Sequence, residues 1–565
     1  MKLCGSSGDR RFSRNSFRVI LVDILLCTTI AQASGWSCLP DQCVYDPFET
    51  VQALEESESC FNSAELLRRY HIFYPVPYTR FDNAFTTSLG SSEGDSENSR
   101  RRREILKATR HAWESYVTYA WGHDELKPLS KSYSDGFGGL GVTIVDSLST
   151  LYIMGLHSEF SKAREWIQDF LNFDQIIEAN FFETTIRVLG GLLSAHDLSQ
   201  DKLFLHKAED LARRLSFAYH SPSGIPFPLC DLKARECFKR VGAIPLAEVG
   251  TVQLELRALS LLSNDSFLQG LRYSSDDFLR IAGLATEEYN GVLPSRISID
   301  TGSFLASSKR TAGAPSDSYF EYLFKLWVQS GYQDQSVFEL FRKFVKGILD
   351  EFIVNTDHGE TFLWEITREH KSGKIDHFTC FLPAVLVSAS HSPFAPLSNA
   401  ERSLWTELAI NLTETCHQFY AKSPCGLSGE HINFGNGKWR QHGGYQLRPE
   451  ALEAFFFMWR YTHEQKYRNY AWEIFERIQE HCLVPDAGYA ALVDSRTRKP
   501  KKEDTMHSFI LSETFKYLFL IYSDDGTLSL DRYVFNTEAH PLIISPEIRR
   551  KETWSWSSSM FNQSP

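Results

Sequence analysis

Long apolar runs are missing from this chain of 565 residues: none reaches the roughly 18 residues that mark an unambiguous membrane span. Basic charge is in deficit, with 59 Lys and Arg against 71 Asp and Glu, a net charge of −12. Phosphate binding needs a basic surface, so the balance argues against a dedicated nucleic-acid binder. No CxxC pair stands beside a matching His or Cys cluster, which argues against a zinc site. The aspartate-rich metal motif of prenyl-transfer toroids is also missing. Alternating apolar and polar runs are few, so a large sheet is not expected. What is plentiful is core material: 42% hydrophobic residues, with 41 Phe, 23 Tyr and 12 Trp. That excludes a wholly disordered chain. At roughly 150 residues per domain, the length allows three or four domains, or one large toroidal or barrel unit.

The N-terminus reads as an address. Arg10, Arg11, Arg14 and Arg18 precede an apolar stretch, 19–33, that ends in the small-x-small pattern Ala31-Gln32-Ala33. Residues 1–33 are therefore expected to be a secretory signal peptide or a retained signal anchor, despite Asp23 in the apolar run. Beyond that segment nine cysteines remain, and disulfides are the expected chemistry in an oxidising lumen. Nine is odd, so at least one thiol is free or intermolecular. Cys230 and Cys237 either staple a local loop or stay as two thiols. Sequons at Asn264, Asn411 and Asn562 are compatible with a luminal chain. Residues 34–105 read as a stem, because 86–103 is too rich in Ser, Gly and charge to order itself. The run Arg100 to Arg103 is a processing site or a solvated charge cluster. A main unit spans 106–545, and 546–565 is a tail.

Within the main unit, seven segments share one plan. They surround Asp146, Glu183, Glu248, Asp317, Asp376, Glu450 and Glu513. Each is apolar over most of its circumference, as a helix buried on nearly all sides must be. Most precede a more polar amphipathic stretch. After the first pair the spacing is 60 to 71 residues, which suggests helical hairpins closed into a ring. Six segments carry their carboxylate near the N-terminal end, with Glu513 a little further in. The helix dipole and capping account for one or two such acids, and poorly for seven. Parallel inner helices would gather them at one acidic mouth lined by aromatics. Such a mouth suits a polyhydroxylated substrate, a cation, or both. Lys and Arg mostly avoid these segments, with Arg187, Lys325, Arg448 and Lys516 as the main exceptions.

The stretch from Asp135 through Asp146, DGFGGLGVTIVD, resembles the opening motif of glycoside hydrolase family 47, the class I α-1,2-mannosidases. FETTIRVLGGLLSAH from Phe182, SDSYFEYLFKLW from Ser316, DHFTCFLP from Asp376, LRPEALE from Leu447, SETFKYLFLIYSDD from Ser512 and VFNTEAHPL from Val534 extend it. It therefore covers about 106–542, in order. DHFTC and LRPE resemble the endoplasmic-reticulum group more than the ER-degradation-enhancing mannosidase-like proteins. Pro383-Ala384 departs from the usual Pro-Gly, and Lys374-Ile375 from the usual basic-Met. The resemblance implies an all-α fold, an (α/α)7 barrel with short β elements and a C-terminal hairpin plugging the barrel. It implies an inverting exo-α-1,2-mannosidase acting on high-mannose N-glycans in the endoplasmic reticulum or Golgi, or secreted. The second reading is a glycan-binding quality-control factor with little turnover. The chain is expected to be a monomer, to bind no nucleic acid, and to touch membrane only through an N-terminal anchor.

Glycosidic cleavage needs an acid to protonate the leaving oxygen and a carboxylate to activate water on the opposite face. By resemblance Glu183 matches the general acid and Glu450 the general base, with Asp376 its rival. Thr537 matches a calcium ligand through its hydroxyl and carbonyl oxygens, with Glu513 and Glu538 close behind the water shell. Calcium binds six to eight oxygens, so it can also hold two sugar hydroxyls. Asp146, Arg187, Glu248, Arg448, Pro449 and Glu453 are expected to line the substrate cavity. Phe509 either packs on a sugar ring or is core. Cys380 and Cys416 match the family's disulfide.

Overall fold

Each of the seven apolar segments is a helix whose faces are almost all covered. In Val142–Ile153 every residue except Tyr152 is buried, and in Asp317–Gln329 all twelve residues after Asp317 are buried. Such a helix needs neighbours on both flanks and behind, and the ring provides them. In the computed structural model the inner helices touch in sequence, from Val142–Ile153 to Gly190–Ser199, Gln253–Leu262, Asp317–Gln329, Leu382–His391, Glu450–Thr462 and Phe515–Ile521. The last segment returns to the first through the turn Ile510–Thr514. Each inner helix is backed by an outer one with a single apolar stripe. In Gln335–Gly347 that stripe is Val337, Phe338, Phe341, Phe344 and Val345, at helical spacing. The outer layer is closed by Glu97–Tyr119, which packs against the seventh inner helix. Among the described residues this is an (α/α)7 barrel, as expected.

The structure describes residues 97–544, apart from 357, 358, 369, 436 and 437. The signal segment 1–33, the stem up to 96, the tail, the sequon at Asn562 and Cys38, Cys43 and Cys60 lie outside the described residues. Among those described, no helix is long and apolar enough to cross a membrane. The expected boundary at 106 falls inside a helix that starts at Glu97. Glu97 pairs with Arg100 and Arg101, and Arg101 lies over the rings of Trp472 and Tyr522. Much of the arginine run is thus part of the barrel wall.

The strands are short and all antiparallel, and they launch the site. Glu178–Asn180, Leu229–Asp231 and Glu236–Phe238 form a sheet that leads into Glu183, with the Cys230–Cys237 disulfide across its last two strands. Lys374–Asp376 joins His431–Gly435 and Lys438–His442 and delivers Asp376 and His377. The hairpin Tyr533–Phe535 with Pro541–Ile543 packs against the inner helices Gly190–Ser199 and Asp317–Gln329, and Asn536 and His540 at its turn are wholly buried. Two glycines admit it and close the ring. A Cβ on Gly190 would stand 2.6 Å from Asn536 Nδ2, and one on Gly191 2.8 Å from the carbonyl of Val145. The disulfide Cys380–Cys416 is formed, while Cys425 and Cys482 are free and buried.

Candidate active site

The hairpin turn is the floor of the site. Asn536 Nδ2 donates to the carbonyl of Ile186 and to Glu255 Oε1, both at 2.8 Å. Its own oxygen accepts from the backbone N–H groups of Glu538 and His540. Two buried lysines grip the same turn: Lys325 Nζ donates to the carbonyl of Asn536 and Lys516 Nζ to that of Ala539. Ala539 sits at φ 54°, a strained conformation of the kind that clusters at functional sites. His540 Nε2 lies 3.1 Å from Asp146 Oδ1. Held this way, the turn presents Thr537, whose hydroxyl donates to Glu321 Oε2 at 3.0 Å.

On one wall, Asn180 caps the start of the second inner helix by accepting from the Glu183 N–H. A π-helical turn, Thr184–Leu189, follows, a distortion common at functional sites. It aims Arg187 so that Nε donates to Glu183 Oε2 at 2.8 Å and Nη1 to Glu538 Oε2 at 2.5 Å. Burial pushes Glu248 up to about 7, and the facing Glu183 adds to the shift. Asp146 is wholly buried, with Arg187 Nη1 3.7 Å away. It was expected to line the cavity; instead it stands behind Arg187 and pins the plug. Burial would raise its carboxyl, but His540 and Arg187 outweigh that and hold it below the usual range.

On the opposite wall, Leu447 adopts φ 64°, and Pro449 caps the helix that Glu450 opens. Glu450 Oε2 is 2.8 Å from His377 Nδ1, and Oε1 is 3.9 Å from Arg448 Nη1. Arg448 is itself fixed by two bonds to Glu430 and lies over the Phe378 ring. Burial works against the Glu450 charge, yet the bond from His377 and the nearby Arg448 leave its carboxyl lower than usual. Asp376 accepts from Lys374 on Oδ1 at 2.5 Å, and its buried Oδ2 has no hydrogen-bond partner. Glu453 is buried one turn below Glu450 beside Lys325, and burial raises its carboxyl. Phe509 spans the two walls, with Arg187 6.0 Å and Arg448 5.9 Å from its ring centre.

Several members of the site have no role assigned from sequence. Asp317 is pushed up to about 7 by burial and by the carboxylates of Glu321, Glu450 and Asp376. Its place at the head of the fourth apolar segment was the available signal. Lys325 and Lys516 had shown themselves as cations in apolar segments. Burial brings Lys516 down to about 7. His377, Tyr420, Asn536 and His540 had no signal beyond their motifs, because their partners are remote in the chain.

The arrangement separates an ionised carboxylate, Glu450, from acids that retain protons near neutrality, Asp317 and Glu248. A hard cation also fits. Thr537 and the acids near it, Glu321, Glu513 and Glu538, offer oxygens, and burial together with the facing Glu538 and Glu450 pushes Glu513 well up. Burial likewise raises Glu538. Among the described residues no three Asp, Glu, His or Cys side chains converge as direct metal ligands.

Residues 108–544 match the sequence family described as glycosyl hydrolase family 47. A mannosyl-oligosaccharide 1,2-alpha-mannosidase of Arabidopsis thaliana is 40% identical over 82% of this chain and 83% of its own. The endoplasmic reticulum mannosyl-oligosaccharide 1,2-alpha-mannosidase of Homo sapiens is 39% identical over 79% of this chain and 64% of its own length. Among solved structures, an alpha-1,2-mannosidase from Trichoderma reesei superposes with a TM-score of 0.73 at 24% identity, over 80% of this chain and 100% of that one. It supports the fold.

Proposed function

The chain belongs to glycosyl hydrolase family 47, and from that premise we propose that it is an inverting exo-α-1,2-mannosidase. It trims terminal α-1,2-linked mannose from high-mannose N-glycans in the lumen of the secretory pathway. The observation that carries this reading is the retention of Glu183, Asp376, Glu450 and Thr537 around one acidic site. A pure glycan binder is free to lose these groups, so the quality-control reading is disfavoured.

Glu183, steadied by Arg187, gives its proton to the leaving oxygen. Glu450, kept ionised by His377 and Arg448, takes a proton from the attacking water. Asp376 is the rival base, and its Oδ2, which accepts no hydrogen bond and has only Lys309 Nζ at 4.0 Å, is the feature in its favour. Asp317 lies close enough to both to tune their charge. Phe509 and Arg448 line the place of the sugar. Thr537 would hold calcium, which when bound supplies oxygen coordination for two hydroxyls of the terminal mannose. Incubation of the purified chain with a nine-mannose glycan, resolving product isomers over time, tests the reading. Successive loss of α-1,2-linked mannose alone is expected. Glycan binding without release of mannose would favour the quality-control factor.

A further inference from the structure

Glu450 is approached from behind by a contact that reaches the outer layer of the barrel. His377 stands in the short turn His377–Phe381 with its side chain 1% exposed. Its Nδ1 is 2.8 Å from Glu450 Oε2 and its Nε2 is 2.7 Å from the hydroxyl of Tyr420. An ionised carboxylate can only accept, so Nδ1 must carry a proton. In the neutral imidazole Nε2 then accepts, and the Tyr420 hydroxyl donates to it. We propose that Tyr420 is a positioning residue for the hydrolysis: its hydroxyl donates to His377 Nε2, fixes the orientation of the imidazole whose Nδ1–H meets Glu450, and so holds Oε2 in place for the attacking water. The inference rests on the reading of Glu450 as the base.

Three further observations bear on it. Burial raises the Tyr420 hydroxyl well above its ordinary value, so it remains a donor. The rings of Tyr420 and His377 meet edge to face at 5.7 Å, which fixes their approach. The disulfide Cys380–Cys416 joins the same two segments, with Cys380 three residues after His377 and Cys416 one helical turn before Tyr420. The outer helix Asn399–Ala421 is thus tied to the turn that carries His377 at two points. Without the hydroxyl, the buried Nε2 loses its partner and the imidazole loses one of the two bonds that fix its orientation. The Nδ1–H then no longer points at Oε2 along a fixed line, and the carboxylate loses its anchor. On the other side, Arg448 at 3.9 Å is too far from Oε1 to restore the position alone.

Tyr420→Phe removes one oxygen and keeps the ring. We expect kcat to fall on the order of 10- to 100-fold, as for other partners that orient a functional histidine. KM should stay within about twofold, because the contact lies behind the base and not against the sugar. In a Glu450→Gln background the same change should add little, since residues acting as a unit are not additive. An unchanged kcat, a rise in KM instead, or an equal loss in both backgrounds overturns the proposal. Near-full activity of Glu450→Gln by itself refutes the base assignment rather than the contact. Should Tyr420→Phe not fold, nitrogen-15 NMR of histidine-labelled wild-type protein decides, with the signal identified by its loss in His377→Asn. The neutral tautomer protonated at Nδ1 is expected, and a tautomer protonated at Nε2 overturns the proposal.

Discussion

Asp197 is a buried carboxyl outside the active site, and replacing it with Asn should stabilise the protein at alkaline pH. It sits near the end of Gly190–Ser199 and is 5% exposed. Its Oδ2 accepts the N–H of Ile543 at 3.0 Å, which helps to hold the plug, while Oδ1 has no hydrogen-bond partner. Burial pushes it from 3.8 up to about 7. Between those values the folded chain keeps a proton that the unfolded chain has lost. Stability therefore falls with rising pH across that window, and the loss is complete above 7. A gap of about 3 units at 1.36 kcal/mol each is about 4 kcal/mol, of which about 3 kcal/mol accrues between pH 5 and 8. Asn keeps an oxygen for Ile543 and never ionises. A fold of about 450 residues unfolds with an entropy near 0.9 kcal/mol/K, so 3 kcal/mol is about 3 °C. Differential scanning calorimetry should show the melting advantage of Asp197→Asn over wild type growing by about 3 °C from pH 5 to pH 8. An advantage that is constant, or larger in acid, refutes the burial argument.

Three further outcomes are expected. Chelation should abolish mannose release, with calcium and not zinc restoring it, and Thr537→Ala should weaken calcium binding measured by titration calorimetry; full activity in excess chelator contradicts this. Glu450→Gln should lower kcat by about 10²–10⁴-fold, the usual worth of a general base, and Asp376→Asn by clearly less; the reverse order makes Asp376 the base. Asn264 is exposed in the loop before a helix, whereas Asn411 lies mid-helix with the Thr413 hydroxyl buried and bonded to the Ala409 carbonyl. Glycosidase digestion of protein secreted from a eukaryotic host should therefore show a glycan at Asn264, removed by Asn264→Gln, and none at Asn411.

The barrel was legible because its inner helices are apolar on nearly every face, a pattern that only a ring with an outer layer can bury. The acidic mouth was legible for the same reason: a carboxylate stands out in an apolar segment. What a carboxylate does there was less visible. Asp146 and Glu183 look alike in sequence, yet one is sealed behind Arg187 and the other is half-buried beside it. The difference is set by His540, 394 residues from Asp146. Asp317 was on view at the head of its segment, but its raised carboxyl depends on Glu450 and Asp376, which come from two other segments. That helical order already holds at Glu97 was hidden by composition. A Ser- and Arg-rich run orders itself here because Trp472 and Tyr522 offer their rings to Arg101.

The central claim is that Glu183 and Glu450 act from opposite faces of the sugar, so water attacks where the leaving oxygen is not. Inverting enzymes keep their two carboxyl groups roughly 6.5–9.5 Å apart, while retaining ones keep them at about 5–5.5 Å. Proton NMR of the reaction mixture in its first minutes, before mutarotation equalises the anomers, reads the outcome directly. The account predicts that mannose first appears as the β anomer. Initial release of α-mannose would contradict it, and with it the roles given to Glu183, Asp376 and Glu450.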